Sequence, residues 1–517
     1  MAKRRIPSFL TDQRGAVAVT YALALTGLVV IAGVGFDYGR LVAMDSELQA
    51  AADQAALAGA TQLNGASDSM TRAVTQASNL VSNSTLQAND NLGRTVTISD
   101  VKFYQTRADA EADSNSFTAA DTTRYNDAHF IRVKTTARKA YYAFTPIVAA
   151  FSSQNITAAA TAGLGSAICR KPPLFVCKPT GTISDPAAWI ESHKGDGILL
   201  KAKGSSWAPG NFGYLDTNIG NGAKALSQMF AYANPPGDCV SADAPQTDPG
   251  QKQSVVPDFN TRFDIYENGD NIDCYSSDSL CPPAENSRKD IVQPTTTAPS
   301  KLKDCNSPSK GWVFSNRPYR PLTAAVMTGS TAANFPDAMG LPRDLCHAVP
   351  SASASCAEDF LGNGSWDINA YWWANYGTAY PNNIPTAVAG RTYPTRYEIY
   401  NWEKTNAPAY RDIPSTTMRN YKAPICRSAP TAGTPDRRVI PVAILDCTTL
   451  GGGKQTVTPL DWMDVFLTEP SLDRSDSSGR SFTSAGDFYG EVIGRTGQGT
   501  GGAANQTVRR DKPYLVN

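Results

Sequence analysis

The chain has 517 residues, and its 47 basic and 47 acidic side chains leave no net formal charge. This length exceeds what one hydrophobic core usually organises, so we expect two or three folded units. No basic run follows the N-terminal tail, and we therefore expect no nucleic-acid partner. The 40 glycines and 34 prolines favour a loop-rich protein.

The first predicted element is a membrane-spanning helix. Residues 15–36 (GAVAVTYALALTGLVVIAGVGF) carry no charge, and about 20 apolar residues suffice to cross a bilayer. Four basic residues precede this run, and positively charged flanks stay in the cytoplasm. The pattern predicts a cytoplasmic tail at 1–14, a transmembrane helix at 15–36 and an extracytoplasmic location for 37–517.

The alternative for the same run is a cleaved secretory signal, with Val30 and Ala32 as the small residues before the cut. A signal peptide usually has an apolar region of about 7–15 residues, and this run is longer. Its glycines at 33 and 35 are tolerated inside a membrane helix. The length therefore favours a retained anchor over a signal peptide.

An alanine-rich amphipathic helix continues directly from the span. Apolar residues recur at steps of three or four, which marks one face of a helix. Small residues on such a face let a neighbouring helix approach closely. We predict that the helix-packing residues are Leu41, Leu48, Ala51, Ala55 and Ala58.

After a second helix between Ser67 and Leu80, the pattern changes to strands. Alternating residues predict strands at Thr95–Tyr104 and His129–Lys134, and turn signals bracket a third at Asn155–Gly163. A long helix followed by a few strands is typical of a pilin-like module. We expect this module, with an antiparallel sheet, over residues 37–165, which gives the chain an α+β fold.

A second, mainly β domain is predicted over residues 166–494, followed by a flexible tail at 495–517. Its loops are rich in proline, and its core-forming strands are predicted at Gly197–Lys203, Arg438–Asp446, Trp462–Leu467 and Glu491–Gly494.

All ten cysteines follow residue 168, and no CxxC pair occurs among them. An even number without metal-ligand spacing indicates disulfides in an oxidising compartment, although free cysteines buried in a core are the alternative. Ten cysteines allow 945 pairings by extension of the count for eight. The short-loop candidates are Cys169–Cys177, Cys274–Cys281 and Cys346–Cys356.

Motifs for catalysis, cofactors or metals are weak. Residues 473–477 (DRSDS) match the spelling of a metal-dependent adhesion site, but no buried strand directly precedes them. The three histidines are scattered, and we find no nucleophile motif. The aromatic cluster at 371–376 could stack on sugars, but such groups more often form core. We therefore expect no enzyme activity, no cofactor and no metal.

Three N-terminal segments resemble a known family. RGAVAV at 14–19, DYGR at 37–40 and LQAAADQAALA at 48–58 are similar to the TadE/TadG-like proteins of Flp (tight-adherence) pilus assembly, most specifically over residues 9–60. The resemblance implies a bacterial inner-membrane protein with an extracytoplasmic domain that serves pilus biogenesis or anchoring. Thr20 stands where prepilin-type processing requires a glutamate, so we expect neither processing nor polymerisation.

The sequence thus predicts a single-pass inner-membrane protein that is a non-catalytic assembly or tether component of a Flp/Tad-type pilus. Its partners would be the membrane and pilin-like or Tad-system proteins, contacted through the N-terminal helix. A surface adhesin or carbohydrate-binding ectodomain is the alternative function.

Overall fold

A computed structural model describes most of the chain, in two compact units. The first unit comprises residues 1–166 and 510–517, and the second comprises 167–509. The described residues are 16–63, 67–79, 84–125, 127–144, 152–165, 167–168, 174–216, 222–236, 240–241, 244–250, 252–267, 272, 274, 280–294, 305, 311–329, 331–349, 356, 358–382, 385, 391–406, 418–428, 436–496 and 512–516.

The helices and strands of the described residues are numbered in chain order. The helices are α1 (Ala16–Ala60), α2 (Ser69–Asn79), α3 (Arg107–Ala112), α4 (Pro186–Ser192), α5 (Ala223–Ala231), α6 (Val256–Asn260), α7 (Leu345–Ala348), α8 (Ile368–Tyr376) and α9 (Arg396–Asn406). The strands are β1 (Ile98–Tyr104), β2 (Phe130–Thr135), β3 (Ala159–Gly165), β4 (Ala167–Ile168), β5 (Leu174–Cys177), β6 (Gly197–Ala202), β7 (Asn211–Leu215), β8 (Val240–Ser241), β9 (Thr247–Asp248), β10 (Ile291–Pro294), β11 (Val313–Phe314), β12 (Met418–Arg419), β13 (Val439–Leu445), β14 (Asp461–Leu467), β15 (Arg474–Ser475), β16 (Ser481–Thr483), β17 (Phe488–Arg495) and β18 (Lys512–Val516).

The first unit is built around α1, which runs without a break for 45 residues. Its second half is rich in alanine, the residue with the highest helix propensity. This half packs on α2 and on a four-stranded sheet in the order β1-β2-β3-β18. All three strand pairings in that sheet are antiparallel. The sheet and α2 therefore cover one face of α1 and form the core of the unit.

The last described residues of the chain belong to the first unit. Strand β18 pairs with β3, with Tyr514 opposite Gly163 and Val516 opposite Thr161. We expected a flexible tail from 495 to 517, but Arg495 ends β17 and residues 512–516 form an edge strand. Three alternating side chains are too short a pattern to reveal such a strand in the sequence. Residues 497–511 lie outside the described part of the chain.

The second unit contains a mixed sheet of seven strands in the order β5-β13-β14-β17-β6-β7-β9. Strand β5 also pairs with β7, so six of the strands close into a ring. Alternate residues of these strands, among them Leu200, Val442 and Val465, point into one buried cluster. The interior of the ring is thus filled by side chains, as in other small barrels.

Several arginines of the second unit are fully buried and paired. Arg396 donates to Asp344 at 2.5 Å and to Glu491 at 2.8 Å, and none of these three side chains is exposed. Arg288 donates to the buried Glu403 at 2.6 Å. Because an isolated buried charge costs several kcal/mol, these pairs fix the elements that carry them.

Candidate functional site

The first half of α1 is apolar and bare. Within the described residues, its large apolar side chains from Val17 to Val42 are mostly exposed, including Tyr21, Leu25 and Ile31. The helix is long and apolar enough to cross a membrane. A soluble protein rarely exposes so large a continuous apolar surface, and within the described part of the chain little covers this half.

The second half of α1 is covered by its own unit. Leu48, Ala51 and Ala55 are completely buried against α2 and the sheet, whereas Leu41 and Ala58 are half-buried. We predicted that these five residues pack against another protein. In the structure, α2 and the chain's own sheet cover Leu48, Ala51 and Ala55, so these three residues are not free to contact a helix of another protein.

Two loops of the first unit clasp α1 where its bare half ends; we call them the collar, residues 84–95 and 138–144. The main-chain nitrogens of Ala143 and Phe144 each donate to the carboxylate of Asp37 at 2.9 Å. Asp37 is 2 % exposed. The Phe144 ring packs edge-on against Phe36, with ring centroids 5.6 Å apart. The first charged residue after the apolar run is therefore used to hold the collar.

The collar loop 84–95 is bonded to α1 about one and about three helical turns beyond Asp37. Arg40 Nε donates to the carbonyl of Gln87 at 3.0 Å, and its Nη1 reaches the carbonyl of Tyr141 at 3.5 Å. Glu47 Oε2 accepts from the main-chain nitrogen of Leu86 at 3.1 Å. The charged residues that follow the span thus form specific bonds to both loops.

A buried ion pair joins the two collar loops to each other. Arg138 Nε and Nη2 each donate to Asp90 at 2.9 Å, and the same guanidinium donates to the carbonyl of Thr95 at 3.1 Å. The Arg138 side chain is 3 % exposed. Its hydrogen bonds hold the pKa of the Asp90 carboxyl well below its usual range. The collar is therefore a fixed element at neutral pH.

Glycines of α1 separate its covered and open faces. A Cβ on Gly33 would lie 2.5 Å from Phe144 Cβ, whereas a Cβ on Gly35 or Gly39 would meet nothing within 4 Å. Since each helical residue advances by about 100°, Gly33 and Gly35 point about 200° apart. The collar occupies one side of the helix, and the Gly35–Gly39 pair, at the four-residue spacing of membrane helix-packing motifs, lies on the opposite, open side.

The structure changes one of the three disulfides considered from the sequence. Cys177 bonds Cys447, across 270 residues, and not Cys169; Cys169 lies outside the described residues. The reason is the parallel pairing of β5 with β13, which places Cys177 opposite Leu445. Cys274 bonds Cys281 and Cys346 bonds Cys356, as in the sequence analysis, and Cys305 bonds Cys426.

Two other groups of the second unit that could have formed a binding site are part of the core or of a disulfide. Tyr371 and Trp372 of the aromatic cluster are buried in the core beside α9, so they form no sugar-stacking platform. Cys346, His347 and Cys356 lie close enough together to suggest a metal site, but the two sulfurs are bonded to each other. Disulfide sulfurs are not thiolates and do not ligate a metal as thiolates do.

A small cavity of about 50 Å³ in the second unit is lined by the basic residues Lys289, Arg320, Arg343 and Arg474 and by the carboxylates of Asp290 and Glu469. Arg474 donates to Asp290 at 2.7 and 3.0 Å, and Arg343 donates to Glu469 at 2.8 Å. Sequence reasoning missed these residues because an isolated arginine or carboxylate in a loop gives no pattern. We do not include the cavity in the functional site.

The described structure defines a class of protein: one N-terminal helix long and apolar enough to span a membrane, followed by a mainly β region with four disulfides. Within that class, residues 15–62 match the family of Flp pilus-assembly TadE/G-like (Tad) domains. This match confirms the resemblance predicted from the sequence over that segment. No curated protein and no solved structure matches the chain.

Proposed function

We propose that the chain is a membrane-anchored, non-catalytic assembly or tether protein of a bacterial Flp/Tad-type pilus. The observation that carries the proposal is the position of the family match, residues 15–62, which coincides with α1 from its bare apolar half to the end of its covered half. A helix with one half bare and one half covered by its own sheet is the plan of a pilin-like module. Its bare half would be anchored in the inner membrane.

The proposed orientation has the N-terminus in the cytoplasm and the folded units outside it. The basic residues that precede the span support this orientation. The disulfides of the second unit support an oxidising compartment for it. Both observations agree on an extracytoplasmic location for the bulk of the chain.

The open side of α1 is the proposed contact for pilin-like or other Tad-system helices. Gly35 and Gly39 leave room for a second helix backbone on that side, and close packing is the main driving force between helices in lipid. The face of Ala51 and Ala55 is occupied by the first unit's own sheet. The helix would thus hold its own ectodomain on one side and a partner on the other.

A tether needs no catalytic centre, and the buried charges of the second unit fit that role. Arg396 and Arg288 are engaged with buried carboxylates, which is how charges that stabilise a fold are arranged. The proposal therefore assigns the second unit to display or anchoring and not to chemistry.

The test is co-purification of the full-length protein with the Flp-type pilin and other Tad-system membrane proteins expressed with it. Gly35→Leu combined with Gly39→Leu should abolish recovery of at least one of these proteins, because the added side chains fill the open side of the helix. Leucine is a good helix former and remains apolar, so membrane retention should not change.

The control is Ala22→Leu, which places the same large apolar side chain elsewhere in the apolar half of α1. Ala22 is exposed and points about 140° away from Gly35 at 100° per residue. Undiminished recovery with the double glycine variant would reject the open side as the contact. Failure of the wild-type chain to recover any Tad component would reject the proposed function itself.

A further inference from the structure

The exposed apolar residues of the first unit are not scattered. Six large apolar side chains outside α1 are exposed in the described residues, and four of them lie in the collar: Leu86, Leu92, Tyr141 and Phe144. Single exposed apolar residues are ordinary. Here they lie in two loops that are bonded to α1 between Asp37 and Glu47, directly after its apolar run, and two of them are aromatic.

The contacts of the two aromatic residues fix their height along α1. Phe144 lies against Gly33 and Phe36, which are the last turn of the uncharged run 15–36, and is 46 % exposed. The carbonyl of Tyr141 is bonded to Arg40, four residues and about 6 Å beyond Phe36. The polar interface of a bilayer is about 5–8 Å thick on each side of the hydrocarbon, so Phe144 and the main chain of Tyr141 fall within that depth.

We infer that Tyr38, Tyr141 and Phe144 lie at a similar depth on different sides of α1 and together form an aromatic surface in the lipid interface of the membrane that α1 spans. Tyrosine, with its apolar ring and polar hydroxyl, concentrates at this depth, and phenylalanine buries its ring there in interfacial helices. Tyr38 is 70 % exposed on α1 itself. The bilayer is the occupant because Phe144 packs directly on residues of the membrane run. Leu86 is excluded, since it is bonded at Glu47, about 16 Å beyond Phe36 along the helix.

The consequence is that the first unit stands directly on the bilayer instead of projecting from it on a flexible stalk. Asp37 and Arg40 hold the collar loops rigidly against α1, so the ring positions and the helix depth are coupled. The inference rests on the proposed membrane anchoring of α1 and adds a second, interfacial contact to it.

The experiment places the photo-crosslinker p-benzoylphenylalanine at single positions of the full-length protein in vesicles of phosphatidylethanolamine and phosphatidylglycerol. The test variants are Tyr38→p-benzoylphenylalanine and Phe144→p-benzoylphenylalanine, of which the first leaves the collar contacts untouched. The span control is Leu25→p-benzoylphenylalanine. The distal control is Thr61→p-benzoylphenylalanine, about 36 Å beyond Asp37 along the helix axis. Mass spectrometry identifies the adducts.

We expect lipid adducts with the variants at Leu25, Tyr38 and Phe144, and no lipid adduct with the variant at Thr61. If Leu25 gives lipid adducts while Phe144 and Tyr38 give only protein adducts or no adducts, the interfacial surface is overturned. The proposed membrane anchoring is then still supported. A lipid adduct at Thr61 would also overturn the interfacial surface, because a collar held at the interface keeps Thr61 about 36 Å further from the membrane than Asp37 along the helix axis. Absence of lipid adducts at Leu25 would reject the anchoring and the interface with it.

Discussion

The carboxylate of Asp37 accepts a hydrogen bond of 2.9 Å from the main-chain nitrogen of Phe144, 107 residues further along the chain. The first charged side chain after the apolar run therefore sets the position of a collar loop on α1. A hydrogen bond to a charged group contributes about 1.5–3 kcal/mol, and Asp37 makes two such bonds to this loop.

Asp37→Leu should release this loop while leaving the core of the first unit folded. We expect the amides of Ala143 and Phe144 to exchange hydrogen about 10- to 150-fold faster, which corresponds to about 1.5–3 kcal/mol of lost local stability. Hydrogen-exchange mass spectrometry of the full-length protein measures this change. Asp45→Leu, at an exposed position of the same helix, should leave the two amides protected. Equal exchange in both variants would contradict the role of Asp37.

Gly33→Ala should disturb the collar, whereas Gly35→Ala should not. The Cβ added at Gly33 would lie 2.5 Å from Phe144 Cβ, and the one added at Gly35 meets open space. Overpacking of this kind costs about 1–3 kcal/mol. Trypsin cleavage after Lys139, an exposed residue of the collar, should accelerate about 5- to 150-fold if the open population controls it. Matching cleavage rates for the two variants would show that Phe144 can move aside at no cost.

In this chain the sequence predicts individual helices and strands, but it does not predict which distant segments pair with each other. The 3.6-residue period places Leu48, Ala51 and Ala55 on one face of a helix, yet periodicity cannot say whether a partner or the chain's own α2 and sheet cover that face. The apolar run Arg438–Asp446 predicts a central strand, and β13 (Val439–Leu445) is entirely buried. Its neighbour β5 lies more than 260 residues earlier, and no local signal indicates that pairing.

The collar was missed for the same reason. Asp37, Arg40 and Glu47 follow the span as ordinary polar residues, and their partners are main-chain groups 39 to 107 residues away. Main-chain donors and acceptors have no sequence signature. The Arg138–Asp90 pair that joins the loops is likewise only one of many possible pairings of charged residues.

Arg396→Met should strongly destabilise the second unit. Arg396, Asp344 and Glu491 are completely buried together, and removal of the guanidinium leaves two buried carboxylates that keep main-chain hydrogen bonds but have lost their opposite charge. Such a change costs about 3–5 kcal/mol. All eight tryptophans lie in the second unit, so the urea midpoint of tryptophan fluorescence reports its unfolding. Arg480→Met, which breaks a pair whose arginine is 43 % exposed, should cost about 1 kcal/mol or less. Similar midpoints for both variants would count against a structural role for the buried group.

The disulfides should differ in their contribution to stability. Cys177–Cys447 spans 270 residues and Cys274–Cys281 spans 7. Since Cys305–Cys426 already shortens the longer loop, the chain-entropy relation gives about 5 kcal/mol for the first and about 2.5 kcal/mol for the second. We expect Cys177→Ser with Cys447→Ser to lower the urea midpoint more than Cys274→Ser with Cys281→Ser does. The reverse order would indicate that closing the ring of strands does not depend on the long-range bond.

Asp258 should make the second unit less stable as the pH rises from about 4 to about 7. The side chain is completely buried, and neither carboxylate oxygen has a hydrogen bond of good geometry to the described residues. Burial raises the pKa of Asp258 from 3.8 to about 7, and the nearby Ser227 hydroxyl lowers it by less. Between these two pKa values the folded state binds more protons than the unfolded state, so stability falls with rising pH.

Asp258→Asn removes this titration and keeps the shape of the side chain. We expect the variant to match the wild type near pH 4 and to exceed it by a few kcal/mol at pH 8, since one pKa unit corresponds to about 1.4 kcal/mol. Urea unfolding followed by tryptophan fluorescence at both pH values gives the difference. Asp359→Asn, at a side chain that is 91 % exposed, should shift neither midpoint relative to the wild type. A variant difference that does not change with pH would mean that Asp258 is already ionised in the folded protein, with a partner that compensates its charge.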